Sequence, residues 1–499
     1  MAEHLITIEE ARENLLACAA FLAERIKSAD GHAEAMKQIV PFYLAANNVD
    51  LAAEFSNTVD DPFTRDRLLT VVAEKCAALD DDEYALQLAE AIEDSGMKAQ
   101  AREKIAFQKS VKGDYEKAAA IAEDLEHPEY AYADIAIHQA AAGEDENARQ
   151  TLAKIEFENA KVAALRAIAI AKITGGENEK AAVLLDEAAT TANEIEHAEE
   201  KIRAFTEIGN LFIEAKRNDR AIEIFDKAKS NAEKLDNVHR DNLLANIAQG
   251  FLRAGSLELA DRALDLVADK TQISLSLAGF ARHFWSKDEK KDALETLEES
   301  YAVLKSQRDT ETRDSRAKYA LFTTIAVEFA RIEKPERAVE IAQENPDENE
   351  RMSGLSQIAQ VLALQGNDEQ ARQTINAIKE DSARVFALVG ISEAKNRSGE
   401  KEKAIEFLNE AANLSETISQ LSLRSTALNE LAKHFLNYGE TAKARQVSHE
   451  NLQIISQIRD ESLKSIALAS LAEIYEQGNF DLTDAEKEIL YTMIRRAEW

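Results

Sequence analysis

The chain has 499 residues, of which 45% are hydrophobic and 6% aromatic, and it contains only 5 Pro and 16 Gly. This composition excludes a disordered chain and disfavours sheet-rich folds, whose turns depend on Gly and Pro. The 92 acidic and 60 basic residues give a net charge of −32, which argues against nucleic acid and anionic membranes as partners. We interpret the acidity as a source of solubility; an acidic face that selects a basic partner is the alternative.

The first predicted element is an N-terminal capping helix within residues 1–31. We predict a single helix from Thr7 to Ser28, capped by Thr7 together with Glu10 three residues later. Its apolar stripe consists of Leu15, Ala19, Leu22 and Ile26. The segment lacks the basic region and apolar run of a signal peptide, and no stretch of the chain approaches the ~20 apolar residues of a membrane span. We therefore expect a cytoplasmic protein.

From residue 32 onward the sequence is a series of repeats. Each repeat contains an anchor alanine with Gly, Asn, Asp, Lys or Glu five residues before it, as in Gly176 and Ala181. Twelve residues before the anchor lies a small residue preceded by Ile or Leu, as in Ile168-Ala169. Spacings of 3, 4 and 7 residues between these positions predict helix, turn and helix, with the small residues at the helix crossing. The twelve anchors are Ala52, Ala85, Ala118, Ala148, Ala181, Ala221, Ala260, Ala293, Ala338, Ala371, Ala404 and Ala444.

This pattern resembles the tetratricopeptide repeat (TPR) family, for instance at Ala169, Ala181 and Ala188. It lacks the family's early Trp and its Pro at the end of the second helix, so paired helices of the HEAT type are the competing description. The resemblance implies an all-α solenoid, a right-handed superhelix of about twelve helix-turn-helix repeats with capping helices. We expect the superhelix to be open and longer than one superhelical turn. The first helix of each pair, which we call a first helix, should lie on the concave face, and the other helix of the pair is its second helix.

Two regularities divide the repeats further. One block covers residues 32–305, a charged joint or helix extension covers 306–316, and a second block covers 317–482. About 16 of 35 aligned positions are identical between 161–195 and 384–418, which indicates a duplication that pairs Ala181 with Ala404. The longer repeats predict longer second helices, from Ala181 to Glu196 and from Ala404 to Ser419. Residues 483–499 form a predicted C-terminal capping helix that begins with a Thr483–Glu486 capping box.

No motif of known catalytic or metal-binding chemistry stands out, so we expect no catalytic residue, metal or cofactor. Gly175-Gly176 lies between helices without a preceding strand, which indicates a helix-ending turn and not a phosphate loop. His138, His283 and His434 occupy one register position but are four repeats apart, too far to share a metal ion. Asp80-Asp81-Asp82-Glu83 is interpreted as a helix-capping turn. Cys18 and Cys76 are predicted to be buried structural thiols.

The exposed positions of the first helices are the candidate binding site for a partner. Carboxamides there can hydrogen-bond a peptide backbone, and Trp285 offers an apolar anchor. We expect a non-enzymatic scaffold that binds a protein or peptide on the concave face; the alternatives are an α/α-barrel enzyme and a ligand-sensing regulatory arm. The sequence leaves the partner and the oligomeric state open. The candidates, predicted to face neither the hairpin partner nor the next repeat, are Arg166, Asn210, Gln249, Arg282, Trp285, Gln360, Asn396, Asn429 and Lys433.

Overall fold

The structure, a computed structural model, describes residues 5–307 and 315–497 and contains only helices within these ranges. The chain divides into two compact units. Unit 1 combines the residues up to Ile105 with those from Leu355 onward, and unit 2 consists of Ala106–Gly354. The prediction of an all-α fold is confirmed. The charged joint predicted at 306–316 lies outside the described residues except for its ends, and the predicted block boundaries stay a prediction.

The helices follow one another as antiparallel pairs joined by short turns. In chain order they are α1 (Ile8–Glu13), α2 (Leu15–Ala23), α3 (Ala29–Ala45), α4 (Val49–Asn57), α5 (Pro62–Ala78), α6 (Asp82–Ala91), α7 (Ser95–Val111), α8 (Tyr115–Glu123), α9 (Glu129–Ala141), α10 (Asp145–Leu152), α11 (Glu158–Thr174), α12 (Asn178–Ala192), α13 (Ala198–Glu214), α14 (Asn218–Ala232), α15 (Arg240–Arg253), α16 (Leu257–Leu264), α17 (Lys270–Ser286), α18 (Lys290–Ser306), α19 (Ser315–Arg331), α20 (Pro335–Glu344), α21 (Glu348–Leu364), α22 (Asp368–Asn376), α23 (Asp381–Arg397), α24 (Lys401–Ser415), α25 (Leu421–Asn437), α26 (Thr441–Ile455), α27 (Glu461–Gln477) and α28 (Asp484–Ala497).

The turns inside the pairs have the backbone conformation that the sequence pattern requires. Gly176 ends α11 with φ +77°, and Lys216 holds the same place after α13 with φ +61°. A left-handed residue reverses the chain after a helix, and glycine adopts this conformation without a steric penalty. The predicted turn positions are confirmed in all twelve repeats, at Gly113, Gly143, Gly176, Gly255, Gly366, Gly399, Gly439, Asn47, Asp80, Lys216, Asp288 and Glu333.

The small residues lie where the two helices of a pair cross. Ala169 of α11 and Ala181 of α12 are both fully buried, and every other anchor alanine is buried as well. A methyl group at these positions lets the two backbones approach, while larger neighbours such as Ile168 and Leu185 fill the space on either side. The predicted register of the repeats is therefore confirmed.

The duplication also appears in the helix boundaries. Helices α23 to α26 have the same lengths as α11 to α14 and follow one another at the same spacing, so that every boundary in one set has its counterpart in the other. The predicted long second helices, α12 and α24, have 15 residues each, whereas the second helix α10 has only 8. Both long helices end earlier than predicted, at Ala192 and Ser415, and a short turn follows each.

The N-terminal segment differs from its prediction. The capping box of Thr7 and Glu10 is present, but the single helix predicted from Thr7 to Ser28 is wrong. Asn14 has an extended backbone, with φ −144° and ψ 132°, and it separates α1 from α2. Its side chain accepts a hydrogen bond from the backbone N–H of Ala17 and so caps the second helix. Asparagine favours such caps over helix interiors, which explains the break.

The two ends of the chain pack against each other inside unit 1. Helix α27 packs against α2 and α3, while α28 packs on α1, α2 and α26. Helix α2 thus takes the place of a second helix for α27, and its apolar side chains, including Phe21 and Leu22, are fully buried there. Arg12 and Glu488, 2.9 Å apart, form an ion pair between the two terminal segments. This contact between the two terminal segments was not predicted from the sequence.

Candidate functional site

The polar residues of two neighbouring first helices, α13 and α15 of unit 2, line an open cleft of about 290 Å³. Residues four and three positions apart follow one another along each helix, so one exposed row forms per helix. Two of the predicted site residues, Asn210 and Gln249, lie here together. The complete lining is Arg203, Thr206, Glu207, Asn210, Leu243, Asn246, Gln249, Gly250 and Arg253.

Phe225, a fully buried residue of the second helix α14, packs against both first helices of the cleft. Its ring lies between Gly209 of α13 and Gly250 of α15. A Cβ atom added to Gly209 would lie 2.6 Å from the ring, and one added to Gly250 would lie 2.5 Å from it. Because both positions are glycine, the ring fits beneath the two first helices, and their polar rows are held at the surface above it.

Three carboxamide side chains dominate the cleft. The Oδ1 atom of Asn210 is buried and has no hydrogen-bond partner in the part of the chain that the structure describes. Asn246 makes only a long hydrogen bond, in which its Nδ2 donates to Oδ1 of Asn242 over 3.4 Å. Gln249 extends over Gly279 of α17, where an added Cβ would lie 3.2 Å from its amide carbon. Much of the hydrogen-bonding capacity of these amides is unused, which favours a polar ligand.

The charges of the cleft are partly neutralised from within the protein. Glu207 forms an ion pair with Arg166 of α11, another of the predicted site residues. Arg203 is 4.0 Å from Glu199, and its own side chain is largely accessible to solvent. Arg253 forms no ion pair among the described residues. Once Glu207 is paired with Arg166, the cleft presents two arginines and three carboxamides, and it can therefore bind groups that accept hydrogen bonds.

Arg282 and Trp285 of α17 do not line this cleft. Arg282 forms an ion pair with the buried carboxylate of Glu328 on α19, which also pairs with Arg331. Trp285 is half-buried, and the Nζ atom of Lys290 on α18 lies 4.9 Å from its ring centre. The expectation that these positions face neither the hairpin partner nor the next repeat is therefore wrong for both. Both positions are exposed enough for the sequence pattern, but their side chains are long and reach a neighbouring helix, α19 from Arg282 and α18 from Trp285.

The other four predicted residues belong to unit 1. Gln360 of α21 extends over Gly390 of α23, which repeats the arrangement of Gln249 and Gly279. Asn429 accepts a hydrogen bond of 2.7 Å from the buried Asn451 of its hairpin partner α26, so here too the expected orientation is wrong. Asn396 is half-buried and Lys433 exposed on their first helices.

The sequence interpretation missed Arg203, Asn246 and Arg253, which complete the cleft. Each lies three, four or seven residues from a predicted site residue and so occupies the same helix face. Extending the prediction from single register positions to whole rows of a helix would have found them. The mid-helix Gly250 was a second signal, because glycine inside a helix indicates a close approach of another group.

The remaining chemical features agree with structural roles. Cys18 and Cys76 are buried and unpaired, and burial raises the pKa of Cys18 to about 12 and that of Cys76 to about 11. The prediction of buried thiols is confirmed. Across residues 5–307 and 315–497, no three His, Cys, Asp or Glu side chains lie together as metal ligands would. No helix there is long and apolar enough to cross a membrane.

A larger cleft of about 500 Å³ lies in unit 1, where α2 and α3 meet α27. Its wall includes Phe42, Tyr475 and Phe480, and none of the predicted site residues lines it. Next to it, the buried Glu486 accepts hydrogen bonds from Arg445 and from the hydroxyl of Tyr475. That carboxylate has all its partners within the protein, and it holds the start of α28 in place.

No protein-family model and no curated protein matches the sequence. Among solved structures, a putative kinesin light chain of Podosopora anserina with TPR-like repeats is 16% identical, over 45% of this chain and 100% of that one, with a TM-score of 0.24. A Rap protein complexed with Competence and Sporulation Factor is 13% identical, over 70% and 97%, with a TM-score of 0.28. The apo quorum sensor NprR of B. thuringiensis is 14% identical, over 72% and 100%, with a TM-score of 0.26.

The description of the fold rests on the geometry of the repeats themselves. Paired helices cross at buried alanines such as Ala169 and Ala181, and a left-handed residue such as Gly176 lies in each turn. The fold is TPR-like. The resemblance stated from the sequence is confirmed at this level.

Proposed function

We propose that the protein is a non-enzymatic scaffold that binds an extended peptide segment of a partner protein in the cleft between α13 and α15. The observation that carries the proposal is the set of Asn210, Asn246 and Gln249 in one open cleft, with the buried Oδ1 of Asn210 lacking a partner. The predicted cytoplasmic location is compatible with such a role and stays a prediction.

Carboxamides suit this task because each offers a donor and an acceptor, as a peptide group does. A peptide lying along the cleft can accept hydrogen bonds from the amide groups of Asn210, Asn246 and Gln249 and donate a backbone N–H to the amide oxygen of Gln249. Arg203 and Arg253 are placed to bind carbonyl oxygens or carboxylates of the same segment. Recognition of the backbone gives affinity, while the two arginines select among peptides.

The support for a scaffold over an enzyme comes from the groups in the cleft. Its titratable side chains are Arg203, Arg253 and Glu207, and Glu207 is paired with Arg166. General acid–base chemistry needs a group that exchanges a proton near neutral pH, which arginine does not do. The lining is therefore suited to hydrogen bonding and to charge recognition.

The proposal is tested by selecting peptides from a random library on the full-length protein and measuring their affinity for variants. Asn210→Ala and Gln249→Ala should each weaken binding about tenfold, which corresponds to about 1.4 kcal/mol for a buried hydrogen bond that is lost. The control is Asn231→Ala on the second helix α14, a carboxamide of the same unit that is half-buried, as Asn210 is. It should leave the affinity unchanged.

Circular dichroism and melting of each variant establish that the fold is intact. If the selected peptides bind Asn210→Ala and Gln249→Ala as tightly as the unaltered protein, the cleft is not the binding site. The same conclusion follows if Asn231→Ala weakens binding to the same degree. A library that yields no peptide dependent on either cleft residue contradicts the proposal as well.

A further inference from the structure

A second cavity lies on another face of unit 2, between the second helices α10 and α12. It is open to solvent, measures about 160 Å³ and is lined mainly by apolar atoms. We call it the Leu184 pocket, and its lining is Ala140, Asp145, Ala148, Arg149, Leu152, Ile168, Lys172, Lys180, Val183 and Leu184. Its walls are formed by α10 between Asp145 and Leu152 and by the first turns of α12, between Lys180 and Leu184.

The duplicated block shows what fills the equivalent space elsewhere in the chain. In the alignment that pairs Ala181 with Ala404, Leu184 corresponds to Phe407 and Arg149 to Arg372. Phe407 is fully buried, and the Arg372 guanidinium lies 4.4 Å from its ring centre. Arg372 also binds Glu410, with Nε 2.9 Å from Oε1. In that block the chain therefore places its own aromatic ring beneath an arginine that is paired with a carboxylate.

The first block has no aromatic residue at the position of Phe407, but it keeps the arginine, Arg149. Leu184 is shorter than Phe407 and only half-buried, so the space beneath Arg149 stays open. Arg149 forms no ion pair within the described ranges 5–307 and 315–497. An apolar cavity of about 150 Å³ is known to take up a benzene molecule, so 160 Å³ matches one phenyl ring.

Val183 supplies a separate observation at the mouth of the pocket. It lies two residues after its anchor alanine, and it is 61% exposed. The other eleven repeats carry Glu, Gln, Arg or Ala at this position, and the duplicate of Val183 is Glu406. Val183 therefore extends the apolar surface of the pocket from Leu184 to its solvent-exposed mouth.

The rim of the pocket is basic although the chain is strongly acidic. Arg149, Lys172 and Lys180 stand around the opening, and Asp145 is the only carboxylate among the lining residues. Lys172 Nζ is 2.9 Å from Asp145, and Lys180 Nζ is 2.5 Å from Glu177. Arg149 is therefore placed to form an ion pair with a carboxylate of the partner. In a chain of net charge −32, Arg149 at the edge of an apolar pocket favours a ligand that carries a carboxylate.

We propose that the Leu184 pocket binds a phenylalanine side chain of an acidic segment in a partner protein. The ring enters the space that Phe407 fills in the duplicated block. Glu187 is the counterpart of Glu410 but forms no ion pair with Arg149, so a carboxylate next to the ring can pair with Arg149. This surface is separate from the cleft between α13 and α15. A partner that uses both would be held at two points of unit 2.

The test measures binding of a fluorescent Glu-Glu-Phe-Glu-Glu peptide to the full-length protein by anisotropy. The same peptide with Ala in place of Phe, and a Lys-Lys-Phe-Lys-Lys peptide, should each bind at least about tenfold more weakly. Val183→Glu and Arg149→Glu should each lower the affinity for the first peptide at least about tenfold. Val238→Glu is the matched control, since Val238 is 62% exposed, lies in unit 2 and does not line the pocket.

Leu184→Phe gives an independent test, because it should fill the pocket from within as Phe407 does. We expect this variant to melt at or above the temperature of the unaltered protein and to lose the peptide. The inference is overturned if the peptide does not bind at about 1 mM, if the Ala peptide binds equally well, or if Leu184→Phe and Val183→Glu bind as the unaltered protein does. Asn210→Ala should not affect this peptide, which separates the outcome from that of the cleft.

Discussion

The network around Glu486 gives the sharpest prediction about stability. Glu486 is fully buried, and its Oε1 accepts hydrogen bonds from Arg445 over 2.7 Å, Tyr475 over 2.7 Å and His449 over 2.9 Å. Its Oε2 accepts from the backbone N–H of Thr483 over 2.8 Å, which completes the predicted capping box. Burial would raise the pKa of Glu486, but the hydrogen bonds from Arg445 and the other donors hold it well below its usual range.

We expect Glu486→Gln to destabilise unit 1 by about 3 kcal/mol. Breaking a buried ion pair by removing one partner costs about 3–5 kcal/mol, and the lower value applies because the Arg445 side chain is 26% exposed and partly solvated. For a unit of roughly 250 residues, about 1 kcal/mol shifts the melting temperature by about 2–4 °C. The expected decrease is therefore about 6–12 °C, measured by circular dichroism at pH 7.

The effect has a defined pH dependence. Because folding lowers the pKa of Glu486, its contribution is complete above the unfolded value of about 4.3 and is lost as the pH falls through the folded value. The difference between the two proteins should therefore be full at pH 7 and shrink below about pH 4. Glu488→Gln is the control, since its carboxylate is 63% exposed. Equal melting shifts for both variants, or a difference that persists undiminished at pH 3, would refute the reasoning.

Three further predictions concern the repeats and the chain ends, and all are measured as melting shifts. Ala169→Leu should destabilise the protein by about 1–3 kcal/mol because the helix crossing has no room for a larger side chain. Lys180 is exposed, so Lys180→Ala should cause no measurable shift. Equal shifts for both variants would contradict the register of the repeats. Gly176→Ala, at φ +77°, should cost about 1 kcal/mol, and Lys216→Gly, at φ +61°, should not destabilise; the reverse order would contradict the turn geometry. Phe21→Ala should cost about 3–5 kcal/mol if α2 completes the last pair, and a negligible shift would show that α2 is peripheral.

The sequence predicted the repeats well because their signals are local. A small residue such as Ala169, an anchor such as Ala181 and a left-handed residue such as Gly176 recur at fixed spacing, and each has one physical reason. The pairing of α27 with α2 could not be predicted in this way. It depends on which apolar face is left uncovered at the opposite end of the chain, and no periodicity in the sequence carries that information.

The candidate site was predicted only in part for a related reason. Periodicity identifies the exposed row of a helix, and it named Asn210 and Gln249, which line the same cleft. It does not show what a long side chain reaches across to, so the contacts of Arg282 with Glu328 and of Trp285 with Lys290 were missed. The Leu184 pocket was missed because it depends on one substitution, Leu184 in place of the ring of Phe407, which the periodic pattern treats as equivalent.

Hydrogen exchange of the full-length protein with a library-selected peptide tests the central claim most directly. Bound peptide should slow exchange in the segments of α13 and α15 that line the cleft, residues 203–210 and 243–253. The equivalent segments of α25 and α27 in unit 1 serve as internal controls and should exchange at unchanged rates. Protection confined to second helices, or spread equally over all repeats, would contradict the account that a partner is bound by the row of carboxamides on the first helices.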